Sequence, residues 1–497
     1  MTSSIMSTAQ AGLKVAQAGL LVTSQNVAGA SVDGYSRRDA NAVINRLAPN
    51  SSLITGTSFA VEGFVRDYSR LLESQRLVQQ GKTSYSETLV QATEMLDVIV
   101  ADGANSLSTA VSQFFDAAGQ MVGAPESVAY RSNLTGKADL VVQRVVGLAN
   151  TISQVEADSR IALKNTLESV NGITEKLARI NVQILAGTSE GNFAPSADYL
   201  DERDRLLMGL QKLVGGQSVI NADGSATHYL EGIPLVEGAG AHRFLTNNLE
   251  GSVDQIQVEY KTYKQQSPEA FFPREFNLTT PTIATSFIQG GDAGAYLHII
   301  RDFIPDLNRR LDAVAISLMK TVNDISPNPV YGFKTSTGNI VSNTATDAFA
   351  KEIPTVLTAD DVYALRNRLD PQSSTYSAGL SELKARNMVS VAPQNANEWQ
   401  IESDHVFAIE KLRSVFSDPI SDVVATVGHT IAGWIANDQA NTSIMNVLND
   451  RRESISGVNL DEEAANMVKF QQLYAASSKI IQTGNQMFDT LLSMISR

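Results

Sequence analysis

Apolar residues recur every seven positions at both ends of the chain. Near the N-terminus Met6, Leu13, Leu20 and Val27 keep this period, and Ala9, Ala16 and Thr23 fall three residues later in each heptad. The spacing predicts one helix over roughly the first thirty residues with a two-position seam. Ala, Gly and Thr beside that seam allow a partner helix to approach closely, and Asp33-Gly34 ends the pattern as a turn. Near the C-terminus Leu460, Met467, Tyr474, Ile481, Phe488 and Ile495 are spaced by sevens. Phe470, Ser477, Gly484 and Leu491 fill the second seam position, and Leu473, Ile480, Met487 and Met494 widen the stripe. One helix cannot bury so wide an apolar face. An ordinary core helix would explain a single such segment. Two of them at chain ends, which usually fray, point to pairing. Period alone leaves open whether the seams meet within one chain or across neighbouring copies.

Between these ends the pattern changes several times. Residues 35–65 are irregular and extended. A helical stripe then runs from Val65 to Val100 through Tyr68, Leu72, Val78, Tyr85, Leu89, Leu96 and Ile99, and a second helix runs from Ser106 to Val122. After Pro125 a helix reaches Leu185. Leu134, Val141, Leu148 and Val155 keep a seven-residue period, and Leu163, Val170, Leu177 and Ile184 resume it after a one-residue shift. Such a shift keeps one face inward against the drift of a straight helix. Roughly 60 residues at about 1.5 Å each make a rod of about 90 Å. A helix from Pro195 to Leu213 precedes strand and turn patterns at Ser218-Val219-Ile220, Asp223-Gly224, Ala226 to Leu230, Glu231-Gly232 and Ile233 to Val236. Helix returns from Ala293 to Ile325. Residues 327–404 are mixed, with a helix expected at Asp360 to Arg368. The last helical stretch starts at His405 and is expected to break near Pro419 and near Ser456-Gly457.

The fold class expected is therefore mainly α with a β insertion, built as an elongated multi-domain rod. Residues 1–34 and 458–497 would pair as a terminal coiled coil. Residues 35–214, 292–326 and 405–457 would form a long-helix bundle, 215–291 a β-rich insertion and 327–404 a small mixed outer insertion. A rod whose two ends pair must place its insertions at the far tip.

Composition narrows the chemistry. The chain carries 39 basic and 53 acidic residues, a net −14, which repels nucleic acid and anionic membranes. There are no cysteines, which removes disulfide scaffolds, cysteine–zinc sites and thiol catalysis. The stretch Val15 to Ala30 is interrupted by Gln17, Ser24, Gln25 and Asn26, and the one early positive charge, Lys14, is followed by no continuous apolar run. That pattern fits neither a membrane span nor a cleaved secretion signal. His228, His242, His298, His405 and His429 are far apart, with no HExxH spacing, and Gly238-Ala239-Gly240 lacks a third glycine for a phosphate-binding loop. Asp201 and Asp204 could mimic an acid/base pair, but beside Arg203 and Arg205 they read as a solvated or salt-bridged helix face. We expect no catalytic residues, metal or cofactor. The competing readings are a secreted helical-rod adhesin or effector, and a glycan-cleaving enzyme.

Two stretches resemble a known family. Ala16-Gln17-Ala18-Gly19-Leu20, Thr23-Ser24-Gln25-Asn26-Val27-Ala28 and Asp33-Gly34-Tyr35-Ser36-Arg37 resemble the N-terminal signature of the flagellar axial proteins. Ser456-Gly457-Val458-Asn459-Leu460-Asp461-Glu462-Glu463-Ala464-Ala465-Asn466, Phe470-Gln471-Gln472 and Lys479-Ile480-Ile481-Gln482-Thr483 resemble their C-terminal signature. Phe488-Asp489-Thr490-Leu491-Leu492 points to the hook-associated branch. Tyr199-Leu200-Asp201-Glu202-Arg203-Asp204 with Leu206-Leu207 looks like an inner-helix motif of that branch, and Gly290-Gly291 to Arg301-Asp302 like the restart after its β insertion. Ala30-Ser31-Val32-Asp33-Gly34 departs from the usual Ala-Asn-Thr-Pro-Gly, so this turn lacks its proline. The resemblance implies an extracellular junction protein between hook and filament that self-assembles into a helical ring. Its partners would be the hook protein, a second hook-associated junction protein and an export chaperone on the C-terminal helix. Export would run unfolded through the flagellar type III channel without signal cleavage. The expected assembly residues are Met6, Leu13, Leu20, Asn26, Val27, Gly34, Tyr35, Ser36, Leu460, Met467, Phe470, Tyr474, Ile481, Phe488 and Leu491.

Overall fold

A computed structural model describes residues 2–32, 34–45, 58–101, 106–189, 196–246, 253–263, 276–280, 282–334, 336, 338–342 and 383–495. The helix expected at Asp360 to Arg368 lies outside these residues. The chain is a mainly helical rod with small antiparallel sheets. In order it forms α1 (Thr2–Gly29), β1 (Arg38–Asn45), β2 (Ser58–Arg66), α2 (Arg70–Ala101), α3 (Leu107–Met121), α4 (Val128–Ser189) and α5 (Ala197–Val214). Next come β3 (Gln217–Ile220), β4 (Ala226–Leu230), β5 (Ile233–Glu237), β6 (Gly240–Ala241), β7 (Arg243–Leu245), β8 (Gln255–Tyr263), β9 (Phe276–Thr279) and β10 (Thr282–Ala284). The last part holds α6 (Gly291–His298), α7 (Ile304–Ile325), β11 (Tyr331–Lys334), β12 (Ile340–Val341), β13 (Met388–Ser390), α8 (Ser403–Lys411), α9 (Arg413–Ser456) and α10 (Leu460–Ile495).

The 62-residue α4 is the spine. All eight residues of its two expected heptad runs are buried. The eight-residue step from Val155 to Leu163 marks where its neighbours change. Leu134 to Val155 pack with α3, α7 and α9, whereas Leu163 to Leu177 pack with α5, α6 and the strands β4 to β8. Buried asparagines on α4 fasten the sheets. Asn181 donates to the Ala226 and Gly238 carbonyls and accepts from Ala226 N–H, and Asn171 does the same for both backbone groups of Phe244. Strands β3 to β6 form one four-stranded sheet in chain order, and β8 is the hub of the next, pairing β7, β9 and β10. The chain leaves the helices at Gly215-Gly216 and returns at Gly290-Gly291. A Cβ on Gly215 would lie 2.8 Å from Gly290 Cα, so the two crossing backbones touch with no side chain between them.

Three elements differ from the sequence reading. Helix α2 begins at Arg70 rather than Val65, because β2 holds the chain extended to Arg66. Val78, expected on the buried stripe, is half exposed, and Leu77 is buried instead. The reason is that α2 meets α9 through polar side chains. Gln79 donates to Asn441, Arg76 Nε to Asn449 Oδ1 at 3.0 Å and Ser86 to Asp438 at 3.1 Å. The break expected at Pro419 falls earlier, at Lys411 to Arg413, and α9 runs through the proline. One lost i→i−4 bond is tolerated where Phe416 and Ile420 anchor that turn in the core. Helices α6 and α7 are joined by a π turn at Ile299–Phe303, where the ladder gives way just before Pro305.

Candidate assembly site: the terminal hairpin and its anchoring strap

Helices α1 and α10 pack against each other within one chain. Gly484 faces Met6, Gly12 faces Ser477 and Gly19 faces Phe470, so the pair is antiparallel. A Cβ at Gly12 would come within 2.8 Å of Ser477 Oγ, and one at Gly19 would run into the Phe470 ring. The buried seam of α1 is Ala9, Ala16, Thr23 and Asn26, together with Gly19. These residues follow a heptad, but its second row is one position before the expected Leu13, Leu20 and Val27. The offset has a packing cause. Phe470 needs a hole, and only small residues of α1 supply one. Leu13 and Leu20 are therefore partly covered on the flank, Met6 is partly covered against Gly484, and Val27 is exposed. On α10, Met467, Phe470 and Ile481 are partly covered, while Leu460, Tyr474 and Phe488 are exposed. Leu491 lies on α10, with its side chain outside the described residues.

The hairpin is anchored by the strap of residues 34–38. Gly34 has φ +82°, a conformation that favours glycine. Asn26, 1% exposed, donates from Nδ2 to the Arg38 carbonyl at 3.0 Å and accepts Arg38 N–H on Oδ1 at 3.0 Å. The Tyr35 hydroxyl donates to the same oxygen at 2.9 Å. The Tyr35 ring lies against Gly29, where a Cβ would be 2.5 Å away, and the Arg38 guanidinium stands 4.7 Å from its centroid. Burial pushes the Tyr35 phenol above its ordinary value. Ser36 is buried. Arg37 N–H donates to the Ser456 carbonyl at 2.8 Å, and its guanidinium pairs with Glu462 at 2.9 Å and Glu463 at 3.4 Å. Arg452 donates to the Gly34 and Tyr35 carbonyls, both at 3.0 Å, and to Glu73 at 3.2 Å. The strap thus touches α1, α9 and both sides of the α9–α10 turn. Gly457 forms that turn, since a Cβ there would run into the Glu453 carbonyl oxygen.

A second layer of charge ties the β1–β2 hairpin to α5. Arg38 pairs with Asp198 at 2.7 Å and Asp201 at 2.8 Å, and Arg66 with Asp201 at 3.3 Å and Asp204 at 2.5 Å. Arg203 also holds Asp204 and donates to the Gly224 carbonyl. Asp201 and Asp204 are thus salt-bridged and mostly covered. The two partners of the central pair respond unequally. Burial holds the Asp201 carboxyl above its usual value despite two guanidiniums, whereas at Arg38 the hydrogen bonds to Asp201 and Asp198 outweigh burial and raise it. The pair is a specific fastening whose desolvation offsets much of its attraction.

Of the expected residues, the structure brings Asn26, Gly34, Tyr35 and Ser36 to the strap, and Met6 and Phe470 to the helix seam. The expected set left out Arg37 and Glu463, which lie within the signatures, and Arg38, Arg66, Asp198 and Arg452, which lie outside them. The available signal was the doublet Arg37-Arg38 beside acidic residues spaced by three on α5.

Among the described residues no helix is long and apolar enough to cross a membrane. Residues 93–332 match the family model described as the flagellar hook-associated protein FlgK helical domain. Residues 449–494 match the flagellar basal body rod FlgEFG protein C-terminal model, over the α9–α10 turn and α10. Flagellar hook-associated protein 1 of Salmonella typhimurium is 24% identical over 99% of this chain and 100% of that one. The proteins of the same name from Escherichia coli K12 and Bacillus subtilis are 23% and 22% identical, again over 99% of this chain. A solved structure of the flagellar hook junction protein FlgK from Burkholderia pseudomallei aligns with 52% of this chain and 44% of that one, at 20% identity and TM-score 0.41. The adhesin or effector reading is not favoured, and the relatives are structural components of the flagellum rather than enzymes. A helical spine with paired terminal helices, similar along its whole length to flagellar hook-associated protein 1, is a hook-associated structural protein of the bacterial flagellum.

Proposed function

We propose that copies of this chain assemble side by side through their α1/α10 hairpins into an axial ring at the junction between hook and filament. The carrying observation is the half-covered hairpin. Its seam buries small residues, and it leaves Leu21, Val27, Leu460, Val468, Leu473, Tyr474, Ile480, Met487 and Phe488 at 37–55% exposure. So much apolar surface on one helix pair is unfavourable in water and calls for neighbours. In this reading the hook protein lies below the ring and a second hook-associated protein above it. The chain reaches its place unfolded through the flagellar type III channel, without signal cleavage, and a chaperone covers the α10 stripe beforehand. Residues 1–34 with 458–497 form the inner tube, the long helices the wall, and 215–291 and 327–404 the outer parts.

Deleting residues 458–497 tests the reading. The expected product is a soluble chain that no longer joins hook to filament, scored by electron microscopy of flagella and by motility. A truncated chain that still builds the junction would contradict it.

A further inference from the structure

The body of the molecule carries a second apolar surface, away from the terminal hairpin. Leu71, Gln75, Val78 and Lys82 form a stripe on α2, and Ile444, Val447, Arg451 and Ile455 form one on α9, each at spacings of three or four. Leu71 is 72% exposed and Val447 65%, with Val78, Ile444 and Ile455 at 40–50%. The polar contacts between the helices fix their register. Glu73 meets Arg452, Arg76 meets Asn449 and Gln79 meets Asn441, so Leu71 lies level with Ile455, and Val78 with Val447. Helical geometry turns both stripes to the same side of the pair. Farther from the hairpin the surface deepens into a cleft of about 450 Å³. Val78, Lys82 and Tyr85 floor it, Trp434 and Asn441 wall it on one side, and the crossing glycines Gly215 and Gly290 on the other. This surface is apolar with basic side chains, Lys82 and Arg451.

The spine presents the complementary chemistry. On α4, Gln154, Asp158, Ile161, Asn165 and Glu168 form one exposed stripe, acidic with a single large apolar side chain, Ile161, at 61% exposure. We infer that the α2/α9 surface of one copy receives the α4 stripe of a second copy, with Ile161 against Val78 and Asp158 near Lys82. Two different faces of one chain meet in this contact, which is the head-to-tail geometry that closes a ring. Apolar anchors set among opposite charges are what such an interface needs. The inference rests on the ring reading and places the wall contact within it.

The absence of cysteine gives a clean test. A chain carrying Val78→Cys and Ile161→Cys, expressed in place of the unaltered one, should yield a disulfide-linked ladder of dimers and higher species in purified hook–filament particles after mild oxidation. Either single cysteine should give no ladder. Incorporation of the double variant without a ladder would overturn this contact and leave the ring reading intact. Absence of the unaltered chain from the particles would overturn the ring reading itself. A charge exchange measures the same contact without cysteines. Lys82→Glu and Asp158→Lys should each reduce motility, and together restore it. Losses that simply add would refute the pairing.

Discussion

Asparagine is the recurrent fastener at the residue scale. Asn26, Asn171, Asn181 and Asn323 are each buried on a helix, and each engages backbone donors and acceptors of a neighbouring extended segment. Replacing Asn26 with Ala leaves the Arg38 N–H and carbonyl buried without partners. We expect a loss of about 2–3 kcal/mol in unfolding free energy, read by denaturant titration. His228 supplies a pH dependence. It is fully buried in β4, and burial lowers it from 6.5 to about 4. Between those values the unfolded chain binds the extra proton, so stability falls as pH drops through that window and returns as pH rises. His228→Gln should flatten the melting temperature against pH over that interval, by circular dichroism, and an unchanged slope would count against it. Little of this scale was legible in sequence. A polar residue in a helical pattern gives no sign of what it will grip, because its partner lies far along the chain. Asn26 joined the expected assembly residues only through the family signature.

Periodicity did most at the element scale. The eight heptad residues of α4 and its one-residue shift were readable because both halves bury a single face. The α1 seam was displaced by one position because period locates a stripe without saying whether large or small residues face the partner. The displacement is testable. Gly19→Ala should weaken the hairpin, since its Cβ would strike Phe470, and Phe470→Ala in the same chain should recover part of the loss. Gly172 on the exposed side of α4 has open space where a Cβ would stand, with nothing within 4 Å, so Gly172→Ala should stabilise the spine by about 0.5–1 kcal/mol. Thermal melts of the three variants separate a packing cause from helix propensity. On α2 the reading of Val78 failed for a different reason. The face toward α9 is polar, so the buried and apolar faces do not coincide.

Nesting of the elements was legible for the whole molecule, because helical ends around a β-containing middle admit few arrangements. The charge layer joining Arg38 and Arg66 to α5 was not, since nothing in a local pattern says which distant acid a buried arginine will find. That layer gives the hairpin a fixed direction relative to the spine. In the proposed ring, this would hold the paired ends inward and the sheets outward in every copy. Everything at this scale depends on α1 and α10 pairing within one chain and turning their uncovered apolar side chains to neighbouring copies. An electron cryomicroscopy reconstruction of the hook–filament junction tests that pairing most directly. The expected map has Phe470 seated on Gly19 of the same chain, with Leu473, Ile480 and Phe488 buried against adjacent subunits. A map in which α1 pairs with α10 of another subunit, or in which those side chains face water, would contradict it.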